Sequence, residues 1–485
     1  MERAPVCGQP RQDLQAEGKP LTYRQLLRGN ADFRRLWTGQ VISEIGDWLN
    51  NIAVLALTIQ LAGREREGLA IALYAISRHL PLFIFGPVAG VVVDRLDRRR
   101  VMIASDIARS VLALGFLIAG ARSALPLVYV VGAALFAVSA FFNAAKRASI
   151  PNIVHSADEL LGANSLSAST TAATIAIGSA LGGLVATFIG RSPVFILNAA
   201  TFLVSAEMIR RIRASTRRSA SALESHDAQS IAMRSVDVQE RLSVATSAAT
   251  AAARSRPSPS AILRRGAADF REGLRYVRGH RVLRAIFIVA AGWGLGNGVA
   301  RALYSIFGAR LGLAQVGGLL ARPTDFGISV LFVAMGLGGV IGAPIARRFN
   351  SAAGNTLGTR MGRSMILDGC GLTLFSLMPT LWGAALVLVA REINFAIWWT
   401  AQQTIIMTRT DDRYGGRVFA SYETLTTLMM VGSMLAAGAA ADTYGITPVA
   451  AAGGTVIALS GLLWFRLRRR GPGTSGQASL EGENF

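Results

Sequence analysis

The sequence predicts an all-α integral membrane protein, and three observations carry that prediction. Of its 485 residues, 52% are hydrophobic and only 16% are charged, with a mean hydropathy of +0.41. A soluble chain carries about 25% charged residues. The apolar residues gather into about twelve runs of roughly 20, each long enough to cross a hydrocarbon core about 30 Å thick. Alternating strands of the barrel type are absent from the sequence. A helix is therefore the expected spanning unit, because it satisfies its own backbone polar groups.

The formal charge is +21, but its placement matters more than its sum. The stretch from Arg210 to Arg281 holds 15 Arg against 6 acids. Further clusters are Arg95 with Arg98, Arg99 and Arg100, and Arg466 with Arg468, Arg469 and Arg470. Loops on the other side carry only scattered bases such as Arg64, Arg122, Arg191 and Arg310. Positive charge concentrates in cytoplasmic loops, so both termini and the long central loop are expected in the cytoplasm. Nucleic-acid binding would explain the charge but not the apolar runs. Cys7 and Cys370 supply neither a disulfide framework nor a metal cluster. The first thirty residues are polar and mixed in charge, unlike a cleavable signal peptide.

In chain order, a cytoplasmic segment (1–32) precedes helix 1 at Leu36–Ala62, helix 2 at Gly68–Val93, helix 3 at Val101–Ala121 and helix 4 at Leu125–Ala144. An amphipathic connector, Pro151–Leu161, leads to helix 5 at Ala163–Ile189 and helix 6 at Pro193–Ile212. The first six-helix bundle thus covers 33–212, and a cytoplasmic loop occupies 213–281. Its last part, Ser260–Val277, has helical spacing and is expected along the membrane surface. The second bundle (282–467) reads as Val282–Phe307, Gly327–Ala346, Met365–Met378, Trp382–Thr408, Ala420–Ala441 and Thr447–Phe465. A Gly/Ser-rich tail, 468–485, reads as disordered.

The two bundles repeat one pattern. Phe33-Arg34 through Gly46-Asp47 matches Leu283-Arg284 through Gly296-Asn297 at a constant offset of 250. Gly86, Gly90 and Asp94 are echoed at the same spacing by Gly338, Gly342 and Ala346, and Arg100–Ile103 by Arg363–Ile366. Such internal repeats mark pseudo-symmetric membrane transporters.

The segment Gly90-Val-Val-Val-Asp94-Arg95-Leu-Asp97-Arg98-Arg99 resembles the loop 2–3 motif of the major facilitator superfamily, with Asp97 where that motif often has glycine. The resemblance implies that Gly90, Asp94, Arg95 and Arg98 form a gating motif. Asp94 would then face the start of helix 11, where the helix dipole stabilises an anion. A finer resemblance is to the branch of macrolide-efflux proteins, enterobactin-type siderophore exporters and lysophospholipid transporters. It rests on Leu27–Trp48, Pro151–Asn164, Asn198–Phe202 and Gly416–Phe419. Gly178, Gly182 and Gly183 on helix 5 resemble the glycine-rich motif of exporters, although Ser179 stands where that motif has proline. These glycines are expected to let helices approach closely. The resemblance implies a monomeric transporter of a bacterial inner membrane, working by alternating access on a small molecule without a cofactor.

Ionisable residues inside a bilayer usually face a cavity or a partner. Glu44 and Asp47 share one face of helix 1, Arg78 and His79 lie near the middle of helix 2, and Arg391 and Glu392 near the middle of helix 10. Asp47, Glu44 and Glu392 are candidates for binding a coupling proton, with Arg78 the expected partner of Asp47. Arg78 and Arg391 suit an anionic substrate such as a catecholate or carboxylate siderophore. His79, Asn143, Asn297, Asn394 and Trp398 complete the expected substrate cavity. No Gly-x₄-Gly-Lys-[Ser/Thr] loop is present, which disfavours ATP drive within the chain. Four His and two Cys without a clustered nucleophile or metal site argue against an enzyme. The expectation is proton-coupled export of a small amphipathic molecule of drug or siderophore type. A lysophospholipid-like substrate, or a non-transporting sensor on the same fold, stands as the alternative.

Overall fold

The structure, a computed structural model, describes residues 22–213, 259–351, 356–411 and 413–469. The expected disordered tail beyond 469, the first 21 residues and the central-loop stretch 214–258 lie outside the described residues. Among the described residues there are fourteen α-helices and no strand.

Short helix α1 (Tyr23–Gly29) starts on a capping box, in which the Thr22 hydroxyl and the Gln25 side chain satisfy each other's backbone N–H groups. Asn30 then caps α2 (Ala31–Ala62) by accepting from the Phe33 N–H. Its amide donates across to the Ile153 carbonyl at 2.9 Å, fastening α1 and α2 to the end of α5. The first bundle continues with α3 (Glu67–Arg95), α4 (Arg98–Ala121), α5 (Leu125–Ile153), α6 (Ala157–Phe188) and α7 (Arg191–Arg210). After the central loop come α8 (Pro259–Gly279), α9 (Arg281–Val316), α10 (Pro323–Ser351), α11 (Leu357–Ser376), α12 (Leu381–Thr408), α13 (Gly415–Tyr444) and α14 (Ile446–Arg469).

Eleven of these helices are long and apolar enough to cross a membrane. The remaining bundle helix, α11, carries Arg360, Arg363 and Asp368 among four glycines. Those charges interrupt the apolar run, so the hydropathy start at Met365 falls about two turns after the observed one at Leu357.

The repeat read from sequence is a repeat in packing. In the first half α2 packs on α6 and α7, α4 on α5 and α7, and α3 on α5. In the second half α9 packs on α13 and α14, α11 on α12 and α14, and α10 on α12. Gly190 (φ +133°) and Gly445 (φ +86°) occupy the same turn of each half, α6–α7 and α13–α14, in a backbone region that disfavours side chains. The halves meet along α6–α10 and α3–α13.

Small residues permit this packing. A Cβ on Gly178 would lie 2.6 Å from the Ile45 carbonyl oxygen, and one on Gly182 2.7 Å from that of Leu49. Gly183 instead faces Ser329 of the other half, and Gly68 and Gly438 meet backbone to backbone across the α3–α13 contact.

These contacts set opposite outcomes for two matched substitutions. Gly182→Ala must push α6 off α2 and is expected to cost about 1–3 kcal/mol. Gly432→Ala, within α13, meets open space and is expected to gain about 0.5–1 kcal/mol from helix propensity. Thermal unfolding of the two purified variants checks the difference in sign.

Candidate functional site: a cavity between the two halves

The two ends of the molecule differ. One end carries the Arg95–Arg100 turn and the end of α14. There Asp94 and Arg95 are exposed, and a Cβ on Gly86 or Gly90 would have no neighbour within 4 Å. The opposite end is tied across the halves. Arg191 at the start of α7 pairs with the fully buried Asp325 of α10 through two hydrogen bonds of 2.8 Å. Arg310 of α9 pairs with Glu67 of α3. The Asp442 carboxylate on α13 accepts from the N–H groups of Gly68 and Leu69 at 2.7 and 2.9 Å, at the first turn of α3. An anion there meets the positive end of the α3 dipole.

Between these ends lies a cavity of about 180 Å³, built by α2 and α3 from one half and α9, α10 and α13 from the other. Arg78 and His79 line it together with Trp48, Asn51, Arg301 and Tyr304. Arg78 donates to the Asn51 side-chain oxygen and lies over the rings of Trp48 and Phe136, each 5.0 Å from its guanidinium carbon. His79 donates from Nδ1 to the Ala75 carbonyl at 2.8 Å, within its own helix. The Trp48 ring reaches Phe332 of the other half at 6.1 Å.

Asp47 and Glu44 sit on α2 just beyond this cavity, in different settings. Glu44 has more partners: it accepts from Gln40 at 2.8 Å and lies 3.2 Å from the Thr174 hydroxyl and 3.6 Å from Lys146. Asp47 has its side chain 28% exposed and faces Arg109 at 4.0 Å. Arg109 rather than Arg78 is therefore the ion-pair partner, a correction to the sequence expectation: Arg78 is taken by Asn51 and two rings. Arg109 itself is buried, pairs with the fully buried Asp106 one turn earlier on α4, and lies between the Phe142 and Phe202 rings.

The second half has a parallel cluster. Arg391 on α12 pairs with Asp368 on α11 at 3.1 Å and donates to the Tyr304 hydroxyl. Both charged side chains are only 2% exposed, while Glu392, 3.8 Å from Arg391, is 16% exposed. Arg391 is thus neutralised inside its own bundle and does not line the cavity, contrary to the sequence expectation. Trp398 is buried against Trp293 at 4.8 Å and also belongs to that core. Asn394 donates to the Ser364 carbonyl at 2.7 Å, Asn297 is buried against Met430, and Asn143 is half-buried on α5.

Sequence reasoning passed over Asp106, Arg109, Arg301 and Asp368. The signal was present, because each is a charge within an apolar run, and Asp106 and Arg109 have the i, i+3 spacing of a helical pair. Among the described residues no group of three His, Cys, Asp or Glu is placed to hold a metal ion.

The sequence model of the Major Facilitator Superfamily matches residues 36–433. The chain belongs to this superfamily. Its members are transporters and not enzymes. An uncharacterised MFS-type transporter of Bacillus subtilis (strain 168) is 25% identical over 456 residues, covering 91% of this chain and 94% of its own. A putative bacilysin exporter of the same strain is 25% identical over 407 residues, covering 82% and 85%. Macrolide efflux protein A of Streptococcus pyogenes is 32% identical over 75 residues, 16% of this chain and 18% of its own. In fold the chain is similar to a bacterial homologue of the iron transporter ferroportin in an inward-facing state. That likeness has a TM-score of 0.63 at 11% identity and covers 91% of this chain and 99% of the other. The nucleoside transporter NupG is similar at a TM-score of 0.62 and 10% identity, covering 88% and 99%.

The sealed clusters predict non-additive stability. Asp368→Asn leaves the buried Arg391 with Glu392, at 3.8 Å, as its remaining counter-charge and is expected to cost about 3 kcal/mol. Adding Arg391→Gln removes the under-compensated charge but also takes the partner of Glu392, so the double variant is expected to recover part of that loss. Unfolding midpoints of the single and double variants measure it.

Proposed function

We propose that this chain is a secondary active exporter of a small amphipathic molecule, of drug or siderophore type, working by alternating access against proton entry. The observation that carries the reading is the asymmetry of the two ends around a cavity that both halves line. With the Arg-rich end in the cytoplasm of a bacterial inner membrane, the described arrangement is open to the cytoplasm and closed to the outside. Arg191–Asp325, Arg310–Glu67 and Asp442 on the start of α3 form the outer closure. Asp94 would meet the start of α13 only when the cytoplasmic end closes in turn, so Gly90, Asp94, Arg95 and Arg98 act in the other state. Two of the relatives are named for export and efflux, which supports the direction.

Asp47 carries the coupling proton in this reading. It combines access to water with a fixed neighbouring cation, whereas Asp106 is sealed and Glu44 already has three partners. Protonation releases Asp47 from Arg109, and rocking of the halves changes which side it exchanges with. Glu392, the partly exposed acid beside Arg391, is the candidate in the second half, where the repeat counterpart of Asp47 is Asn297. The molecule acts as a monomer, since its two halves complete the cavity between them.

One observation favours a lipid-like substrate as the second reading. An apolar groove of about 450 Å³ on the outer flank of α6, α10 and α12 is lined by Leu184, Phe188, Val330, Trp382 and Leu386. A groove of this kind accepts an acyl chain.

The test is uptake of a fluorescent amphipathic dye into inverted vesicles under an imposed pH gradient. Wild type is expected to accumulate dye only with the gradient, and Asp47→Asn to lose at least about tenfold in rate, on the order of 1.4 kcal/mol in the coupled step. Glu44→Gln is expected to keep most of the activity. Equal accumulation by wild type and Asp47→Asn would remove Asp47 from the mechanism. Competition by a lysophospholipid but by no amphipathic dye would favour the lipid reading.

A further inference from the structure

We propose that the cavity seats an anionic group of the substrate, a carboxylate, sulfonate or phosphate, between Arg78 of one half and Arg301 of the other. The proposal rests on the central cavity being the substrate site, as argued above, and adds the chemical class of the group it binds.

The charges decide this. The cavity wall carries two arginines and a histidine and no carboxylate. The nearby acids make their ion pairs elsewhere, Asp47 with Arg109 at 4.0 Å and Glu392 with Arg391 at 3.8 Å, and reach Arg78 and Arg301 only through longer-range attraction. Arg78 is held by a neutral side chain and two rings. Arg301 is exposed to the cavity, and among the described residues it has neither an ion pair nor a hydrogen bond. Guanidinium groups at mid-membrane with no carboxylate in contact are costly unless water or a ligand meets them.

Tyr304 adds a third donor. Its hydroxyl accepts from Arg391, which in turn is fixed by Asp368, so the phenolic proton remains available to the cavity it lines. Three donors from two halves match the several lone pairs of an oxyanion, and guanidinium groups bind such oxygens in bidentate fashion. The rings of Trp48 and Phe332 border the same space and suit an apolar or planar neighbour of that anion.

Size agrees with this division. At about 180 Å³ the cavity is smaller than the roughly 300–1,000 Å³ that encloses a whole drug-sized ligand. It holds one group, and the rest of the molecule extends toward the open end. An anion shared by Arg78 and Arg301 draws α3 and α9 together, so binding favours the closed arrangement of the halves.

The experiment measures equilibrium binding of two xanthene dyes of opposite charge, carboxyfluorescein and rhodamine 6G, to the purified full chain by fluorescence anisotropy. Arg301→Gln is expected to weaken carboxyfluorescein at least about tenfold and Arg301→Lys to restore most of it. Rhodamine 6G is expected to bind the Arg301→Gln variant as tightly as wild type or more so. An unchanged unfolding midpoint for Arg301→Gln separates loss of a ligand contact from loss of the fold. Equal carboxyfluorescein affinity in wild type and Arg301→Gln overturns the proposal. So does wild-type preference for rhodamine 6G, or no carboxyfluorescein binding up to about 1 mM. Gradient-driven pumping of rhodamine 6G alongside any of these results leaves export standing and removes only the anionic class.

Discussion

A charge inside a hydrocarbon slab must be either paired or wet, and the division between the two organises this molecule. Asp106 with Arg109, and Asp368 with Arg391, are paired and sealed, one cluster in each half. They tie α4 into the first bundle and join α11 to α12 in the second. Arg78 and Arg301 are the wet charges of the space between the bundles, and Asp47 beside it is both paired with Arg109 and partly exposed. Rigid halves around a hydrated seam are what a rocking mechanism requires. The cost of moving a sealed ion pair keeps each half intact while the seam opens and closes.

The seam is built from two kinds of contact with different roles. Close backbone approaches at Gly68–Gly438 and Gly183–Ser329 let the halves meet without side chains in between. Packing of this sort is weakly directional and tolerates a change of tilt. Directional strength comes from Arg191–Asp325, Arg310–Glu67 and the Asp442 cap on α3, all at one end. Glu67 is itself buried, so breaking that end exposes a charge as well as releasing a bond. The helix α8 is carried by the second half only in part: Glu272 meets Arg417 of α13 at 2.8 Å, and a Cβ on Gly273 would crowd the α13 backbone. It also touches α3, so the described part of the central loop spans both halves at the Arg-rich end.

The helices, their order and the repeat were legible in the sequence because each depends on local information. Run length gave the spans, and the matched segments around Gly46 and Gly296 gave the two-fold relation. The rule that singles out Asp47, Arg78 and Arg391 applies equally to Asp106, Arg109, Arg301 and Asp368, each a charge within an apolar run. The partnerships were a different matter. Arg391 reaches Asp368 on another helix, 23 residues away, while Asp47 finds Arg109 in place of Arg78. Which arginine is sealed and which is left in the cavity follows from how the helices are rotated against one another. Hydropathy carries no record of that rotation. The closed end was equally illegible, since Arg191, Arg310 and Asp325 read as ordinary loop and helix-end charges until the two halves are placed together.

The central claim, that closing one end and opening the other are a single motion, is tested by pulsed electron-spin distance measurements on a chain with Cys7 and Cys370 replaced by serine. One label pair spans the Arg-rich end at Leu96 and Gly416, and the other spans the opposite end at Arg64 and Leu319, all exposed positions. The account predicts that Arg191→Gln combined with Asp325→Asn shortens the distance at the Arg-rich end and lengthens it at the opposite end in the same sample. Distances that both lengthen, or that stay at the wild-type values, would contradict it.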